Sequence, residues 1–213
     1  IGGGLTAIDT CTEVLAYYPV QVEKVLHRYE NLSRLHGETA VRNMYDPEEL
    51  GILDEFLTHG RAIQAERQRA ASAGEKPNFL PLLESWGGVT MFYRKGIEDA
   101  PAYRQNAEEI EEALAEGIRL APGMSPLEAI EDERGHIKAV KFEKLELVEG
   151  KWTRSNTLDV PLRSLFVAAG TSPNTIYESE HPDSFTMDKK FYQRYEPEWN
   201  DAEMKLVETH DET

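Results

Sequence analysis

The sequence predicts an α/β protein, a parallel sheet with helices packed on it and an antiparallel strand meander behind it. Three observations carry this. The triplet Gly2-Gly3-Gly4 opens directly into a helical pattern. Two short apolar runs, GGVTMFY at 87–93 and IRLAPG at 118–123, flank a further amphipathic helix, as strands alternating with helices do. From Gly135 onward the apolar period drops to two.

The elements follow in order. Ala7, Ile8, Cys11, Val14 and Leu15 repeat at three-to-four spacing, which predicts a helix over 5–18 closed by Pro19. Val22, Val25, Leu26, Tyr29 and Leu32 keep helical period in a block over 19–86 that reads as an insertion. Within it, Asp46-Pro47-Glu48-Glu49 combines an N-cap, a proline at the first helical position and acids in the first turn. That helix runs to near Ala71. The run 89–93 reads as a buried parallel strand. Tyr103, Ala107, Ile110 and Leu114 give the next helix, closed by Gly117. Val140 and Phe142, then Leu145 and Leu147, alternate with charged residues, and the slip of phase at Lys144 predicts a bulge. GKWTRSN reads as a loop, Leu158, Val160 and Leu162 as a strand, and LFVAAG at 165–170 as a strand in the middle of the sheet. Residues 171–213 are acidic, carry three prolines and read as irregular.

Composition bounds the function. The chain of 213 residues is 40% hydrophobic and 29% charged, as a soluble globular protein is. Its 39 acids against 23 bases give a net charge of -16, a field that repels nucleic acid. An anionic ligand therefore needs a local basic patch or backbone amides. No apolar run reaches the ~20 residues of a membrane span. One cysteine, Cys11, cannot form an internal disulfide or hold an iron–sulfur cluster, and a cytoplasmic location fits. Cys11 lies on the apolar side of its helix and reads as structural. His27, His36 and His59 have no metal spacing and read as surface or partner-facing. No metal site and no catalytic side chain is expected.

Gly2-Gly3-Gly4-Leu5-Thr6-Ala7 fits the G-x-G-x-x-A pattern of a Rossmann-like dinucleotide site. The first glycine permits the turn, the second lets a pyrophosphate approach the backbone, and the small third residue lets the helix pack closely. The helix N-terminus offers free N–H groups to the phosphates. The strand 89–93 ends in Arg94-Lys95, where a guanidinium and an ammonium suit a ribose 2′-phosphate and hence NADP.

GGGLTAID, VTMFYRKG, APAYRQNAEEIEEALAEGI, SPLEAI and LFVAAGTSPNT occur in an order that resembles the NADPH-binding domain of glutamate synthase small subunit-like, FAD-dependent pyridine nucleotide oxidoreductases. The resemblance covers residues 1–18 and 87–177. It implies a two-dinucleotide flavoprotein that passes hydride from NADPH to FAD, with electrons continuing to an iron–sulfur centre or a partner subunit. It implies that Gly3, Gly4, Leu5 and Thr6 hold the pyrophosphate, with Gly2 also in the cofactor site, and that Arg94, Lys95 and Arg104 hold the 2′-phosphate. Ala169 and Gly170 would lie beside the cofactor, where 170–175 returns the chain to an FAD domain. Many relatives carry Asp where this chain has Leu5. The organisation expected is a nucleotide domain of 1–18 plus 87–170, a helical insertion of 19–86 and a return segment of 171–213. The chain reads as a piece of a larger flavoprotein whose first strand lies upstream of Ile1, leaving an open side next to the strand 89–93.

A second reading comes from the insertion. Its apolar faces, Leu53, Phe56 and Leu57 among them, would dock a partner subunit or a second copy, with the nucleotide site degenerate or NAD-using.

Overall fold

The computed structural model describes residues 1–170, 174–200 and 203–209, and divides into one unit of Ile1–Ala169 and another of Gly170–Thr213. Both parts mix helix with sheet.

In the first unit, α1 spans Leu5–His36 and runs straight through Pro19 instead of ending there. An internal proline removes a backbone bond and costs about 3 kcal/mol. The apolar stripe continues on both sides of it: Leu15, Pro19, Val22, Leu26 and Tyr29 are all buried. That burial offsets the penalty, so the helix leaving the glycine corner and the first helix of the insertion are one rod. The insertion is thus continuous with the rest of its unit.

After Gly37, α2 (Glu38–Arg42) is a short turn of helix, and α3 (Pro47–Ala73) then packs along α1. Its start is the one read from sequence. The Asp46 carboxylate accepts from the N–H groups of Glu48 and Glu49, and the Glu49 carboxylate accepts from Asp46 N–H. Leu26, Tyr29, Val41, Leu53 and Leu57 form one core cluster. A short α4 (Leu80–Ser85), which the periodicity did not reveal, brings Leu83 into a second cluster with Ala7, Ile8, Cys11 and Met91. Trp86, Gly87 and Gly88 follow.

Among the described residues the parallel sheet has two strands, β1 (Thr90–Phe92) and β2 (Arg119–Ala121), in register Met91↔Leu120. A 3₁₀ turn at Ile97–Asp99, α5 (Pro101–Gln105) and α6 (Ala107–Ala115) connect them. The run 165–170 forms no strand, against expectation, and Phe166 and Val167 are exposed. An apolar run is buried in a sheet only where strands flank it on both edges. Among the described residues the run's backbone bonds go to Ile1: its amino group donates to Phe166 O at 2.7 Å, and Ala168 N donates to Ile1 O at 2.8 Å. On the side facing away from β2, Phe92 O accepts the Gly2 N–H at 3.1 Å.

The antiparallel sheet is ordered β3-β4-β5, with β3 at Met124–Glu131, β4 at Ile137–Val148 and β5 at Lys151–Pro161. The β4–β5 register shifts between Glu143 and Leu145, at the Lys144 slip read from sequence. GKWTRSN is not a loop. Only Gly150 turns, with φ 77°, and strand β5 begins at Lys151. The polar residues of β5 stand on an exposed sheet face, which hides its period. Met124, Val140 and Phe142 fill the third cluster, where Phe142 stacks on Phe92 at 4.5 Å.

The second unit is not irregular in its described residues. It holds α7 (Ile176–Glu180), the hairpin of β6 (Met187–Asp188) with β7 (Phe191–Tyr192), and the hairpin of β8 (Arg194–Asn200) with β9 (Glu203–Thr209). Tyr195, Pro197 and Trp199 alternate with Glu196 and Glu198 there. Pro197 is tolerated because a two-stranded hairpin consists of edges alone. Thr171, Ser172 and Pro173 of the expected return segment lie outside the described residues.

Candidate functional site

Two stretches distant in sequence meet at the carboxyl end of β1. Gly2 and Gly3 are buried. Gly2 has φ 151°, and a Cβ there would lie 2.1 Å from the carbonyl oxygen of Ala168. A Cβ on Gly3 would lie 2.4 Å from the Tyr93 ring. Among the described residues nothing lies within 4 Å of such an atom on Gly4, so the backbone there is open to approach where α1 begins. The absence of side chains thus serves packing at Gly2 and Gly3 and access at Gly4.

The start of α1 has no side-chain cap and no acid in its first turn. Ala7 N and Ile8 N reach back to Gly4 O. Among the described residues no acceptor meets the N–H groups of Gly4, Leu5 or Thr6. This is the electrostatic situation in which a helix end takes an anion. Leu5 is half-buried against the core, and Thr6 is exposed.

The loop leaving β1 wraps the same corner. Tyr93 lies against Gly3 and donates its hydroxyl to Asp99 O at 3.3 Å. Ala102 N donates to Gly3 O at 2.9 Å, which ties the first turn of α5 to the glycines. Arg94 and Lys95 follow Tyr93, both exposed, and among the described residues neither side chain makes an ion pair. Arg104 is exposed and sits 3.7 Å from the Asp99 carboxylate. The loop thus presents two free cations and a third held only by a long contact.

Sequence reasoning missed three contributors. Ala168 is the residue that touches Gly2. Ala169, exposed, ends the first unit, and Gly170 begins the second. Tyr93 underlies Gly3. Trp152 reaches from β5 to the loop, donating its indole N–H to Asp99 Oδ2 at 3.3 Å and lying against Gly96. The exposed alternation of β5 concealed Trp152, whereas Tyr93 stood inside the quoted run and could have been read as its last packing residue.

Other expected features divide. Cys11 is buried and its thiol is pushed up by desolvation, as a structural cysteine should be. Leu53 and Leu57 are buried within this chain and Phe56 packs edge-on against Tyr18, so the apolar stripe of α3 is covered without a partner. His59 is not a surface residue; it is half-buried and stacks on Trp86. A groove of about 340 Å³ lined by Thr12, Leu15, Pro19, Phe79 and Leu83 lies along α1, and none of the glycines or loop cations lines it. Among the described residues no group of His, Cys, Asp and Glu could hold a metal, and no helix is long and apolar enough to cross a membrane.

No family model matches the chain. An uncharacterized protein of Rickettsia prowazekii (strain Madrid E) is 27% identical over 191 residues, a match that takes in 84% of this chain and 24% of that protein. The chain therefore spans about a quarter of the length of the curated relative it matches.

Proposed function

We propose that this chain binds NADPH as the nucleotide-binding part of an FAD-dependent oxidoreductase resembling the glutamate synthase small subunit. The observation that carries the reading is the bond from Ala102 N to Gly3 O together with Tyr93 lying on Gly3. These contacts bring the open backbone corner and the loop of Arg94 and Lys95 to one end of one strand. A dinucleotide needs both at once, backbone donors for its pyrophosphate and, for NADPH, cations for the 2′-phosphate.

The residues fit the cofactor chemically. Gly4, Leu5 and Thr6 offer unengaged N–H groups, and Gly4 leaves room for a phosphate to approach. Arg94 and Lys95 are free to pair with a phosphate dianion, and Arg104 would exchange a long contact with Asp99 for it. When bound, NADPH supplies a hydride for a flavin. The chain's residues bind and orient it, and no side chain is required as acid or nucleophile. In an acidic protein these few cations also decide where an anion can settle. A flavin-bearing part and an iron–sulfur or subunit acceptor complete the proposed electron path.

The test is calorimetric titration with NADPH and with NADH. NADPH should bind more tightly. The double variant Arg94→Ala/Lys95→Ala should lose on the order of tenfold or more in NADPH affinity, as loss of charged hydrogen bonds implies, with NADH little changed. Equal affinities for the two cofactors in the unaltered chain would overturn the 2′-phosphate assignment.

A further inference from the structure

The joint between the helical insertion and the parallel sheet is held by a titratable contact that dinucleotide binding does not use. The His59 ring, on α3, stacks on the Trp86 indole at 3.8 Å between centroids and 17° between planes. Its Nδ1 lies 2.6 Å from the hydroxyl of Tyr18 on α1. Tyr18 in turn stands edge-on to Trp86 at 6.0 Å and to Phe56 at 6.3 Å. Three segments of chain therefore meet on one imidazole.

The position gives this contact leverage. Trp86 is the last residue before Gly87 and Gly88, whose φ values of 115° and 63° favour glycine, and β1 begins after Val89. Gly87 N and Gly88 N donate back to Glu84 O and Leu83 O at the end of α4, and Trp86 anchors this joint on the helical side. A second contact holds the same joint from the sheet side: the Arg119 guanidinium donates to Gly87 O. By contrast, α1 and α3 are locked to each other nearby, since a Cβ on Gly60 would lie 2.7 Å from Val22 O. What His59 can release is therefore Trp86 and the joint behind it.

We propose that His59 is a proton-operated latch, which when neutral clamps Trp86 and the Gly87-Gly88 joint to the α1–α3 pair and when protonated lets them go. Among the described residues, His59 is the sole hydrogen-bond partner of the Tyr18 hydroxyl, so the bond is best used with Tyr18 donating to an unprotonated Nδ1. Protonation turns Nδ1 into a donor, so the Tyr18 hydroxyl must accept instead and turn its own proton elsewhere. The charged groups facing the pair are Glu55 on α3 and Arg163 after β5, ion-paired with each other at 2.8 Å. Desolvation disfavours the imidazolium first, Arg163 repels it, and Glu55 draws it back. An imidazolium stacked on an indole also gains attraction, which opposes release. The proton affinity of His59 is depressed on balance, so the neutral, clamped form is the one the fold favours. The inference is independent of the dinucleotide reading, since it concerns the unliganded chain.

The test uses the full 213-residue chain. An NMR pH titration of the His59 ring should show a midpoint below that of histidine in an unstructured peptide. In a Trp152→Phe/Trp199→Phe background, Trp86 fluorescence should change with the same midpoint. His59→Gln, which keeps an acceptor for Tyr18 but does not titrate, should abolish that change. Tyr18→Phe should raise the midpoint. A His59 midpoint at or above the peptide value in the unaltered chain would overturn the proposal whether or not the variants fold. So would a Trp86 transition that survives His59→Gln.

Discussion

The carbonyl of Gly3 accepts the backbone N–H of Ala102 at 2.9 Å, across a corner on which Gly3 also lies against the ring of Tyr93. The glycines of this corner should consequently answer differently to the same substitution. Gly3→Ala forces a methyl into the Tyr93 ring and should destabilise the chain by about 1–3 kcal/mol, as overpacking does. Gly4→Ala meets nothing within 4 Å among the described residues. It should leave stability within about 1 kcal/mol while weakening NADPH, because the methyl occupies the phosphate approach. Thermal unfolding together with cofactor titration separates the two. Equal loss of stability in both variants would contradict the division between packing and access.

The helix pair contains a second such contrast. Gly60 of α3 lies so close to α1 that a Cβ would sit 2.7 Å from Val22 O and 3.0 Å from Leu26 Cβ, whereas Gly51, on the same helix, has open space around it. Gly60→Ala should cost about 1–3 kcal/mol, since backbone must move. Gly51→Ala should stabilise by up to about 1 kcal/mol, because alanine is the better helix former. Denaturant midpoints for the two variants should fall on opposite sides of the unaltered chain.

Legibility followed how local the cause was. The start of α3 could be read because Asp46, Pro47, Glu48 and Glu49 act on their own backbone within one turn. The slip at Lys144 could be read because a bulge shifts the side-chain phase in the same strand. Pro19 misled because what keeps α1 going is burial of Val22, Leu26 and Tyr29 beyond it, a tertiary effect that outweighs a local penalty. The run 165–170 misled for the converse reason. Its apolar residues suit a sheet interior, but a strand forms only where neighbours pair with it, and among the described residues its backbone bonds go to Ile1. At the candidate site the glycines and cations were legible as motifs. Trp152 and Ala168 were not, because each reaches the corner only through the fold of a distant segment.

The α3 N-terminus offers a test of that local reading. Asp46 accepts two N–H groups at 2.8 and 2.9 Å, and its own N–H is taken by Glu49 at 2.9 Å. Asp46→Ala should cost about 1 kcal/mol, within the usual 0.5–2 for a lost cap. Asp46→Ser should recover most of it. Chemical denaturation monitored by circular dichroism gives both numbers, and an Asp46→Ala variant as stable as the original would show that the cap is idle.

At the other end of α3, Glu66 sets part of the acid limit. Its carboxylate accepts from the Arg69 guanidinium at 2.7 and 2.9 Å and from Asn78 N–H at 2.8 Å. The Arg69 bonds, then the backbone bond, hold its pKa down to about 2 from an ordinary 4.5. A carboxyl depressed on folding contributes stability that is present above the unfolded value and is lost as pH falls through the folded one. The contribution of Glu66 should accordingly be full above about pH 4.5, decline below it and be gone near pH 2. The Glu66 side chain is part-buried but its partner Arg69 is exposed, so salt should shrink the effect. Glu66→Gln should flatten this part of the stability–pH curve and leave the neutral side parallel to the original. Unfolding midpoints measured from pH 7 to pH 2 at low and high salt would show it, and an unchanged acid slope in Glu66→Gln would assign the acid loss to other carboxylates.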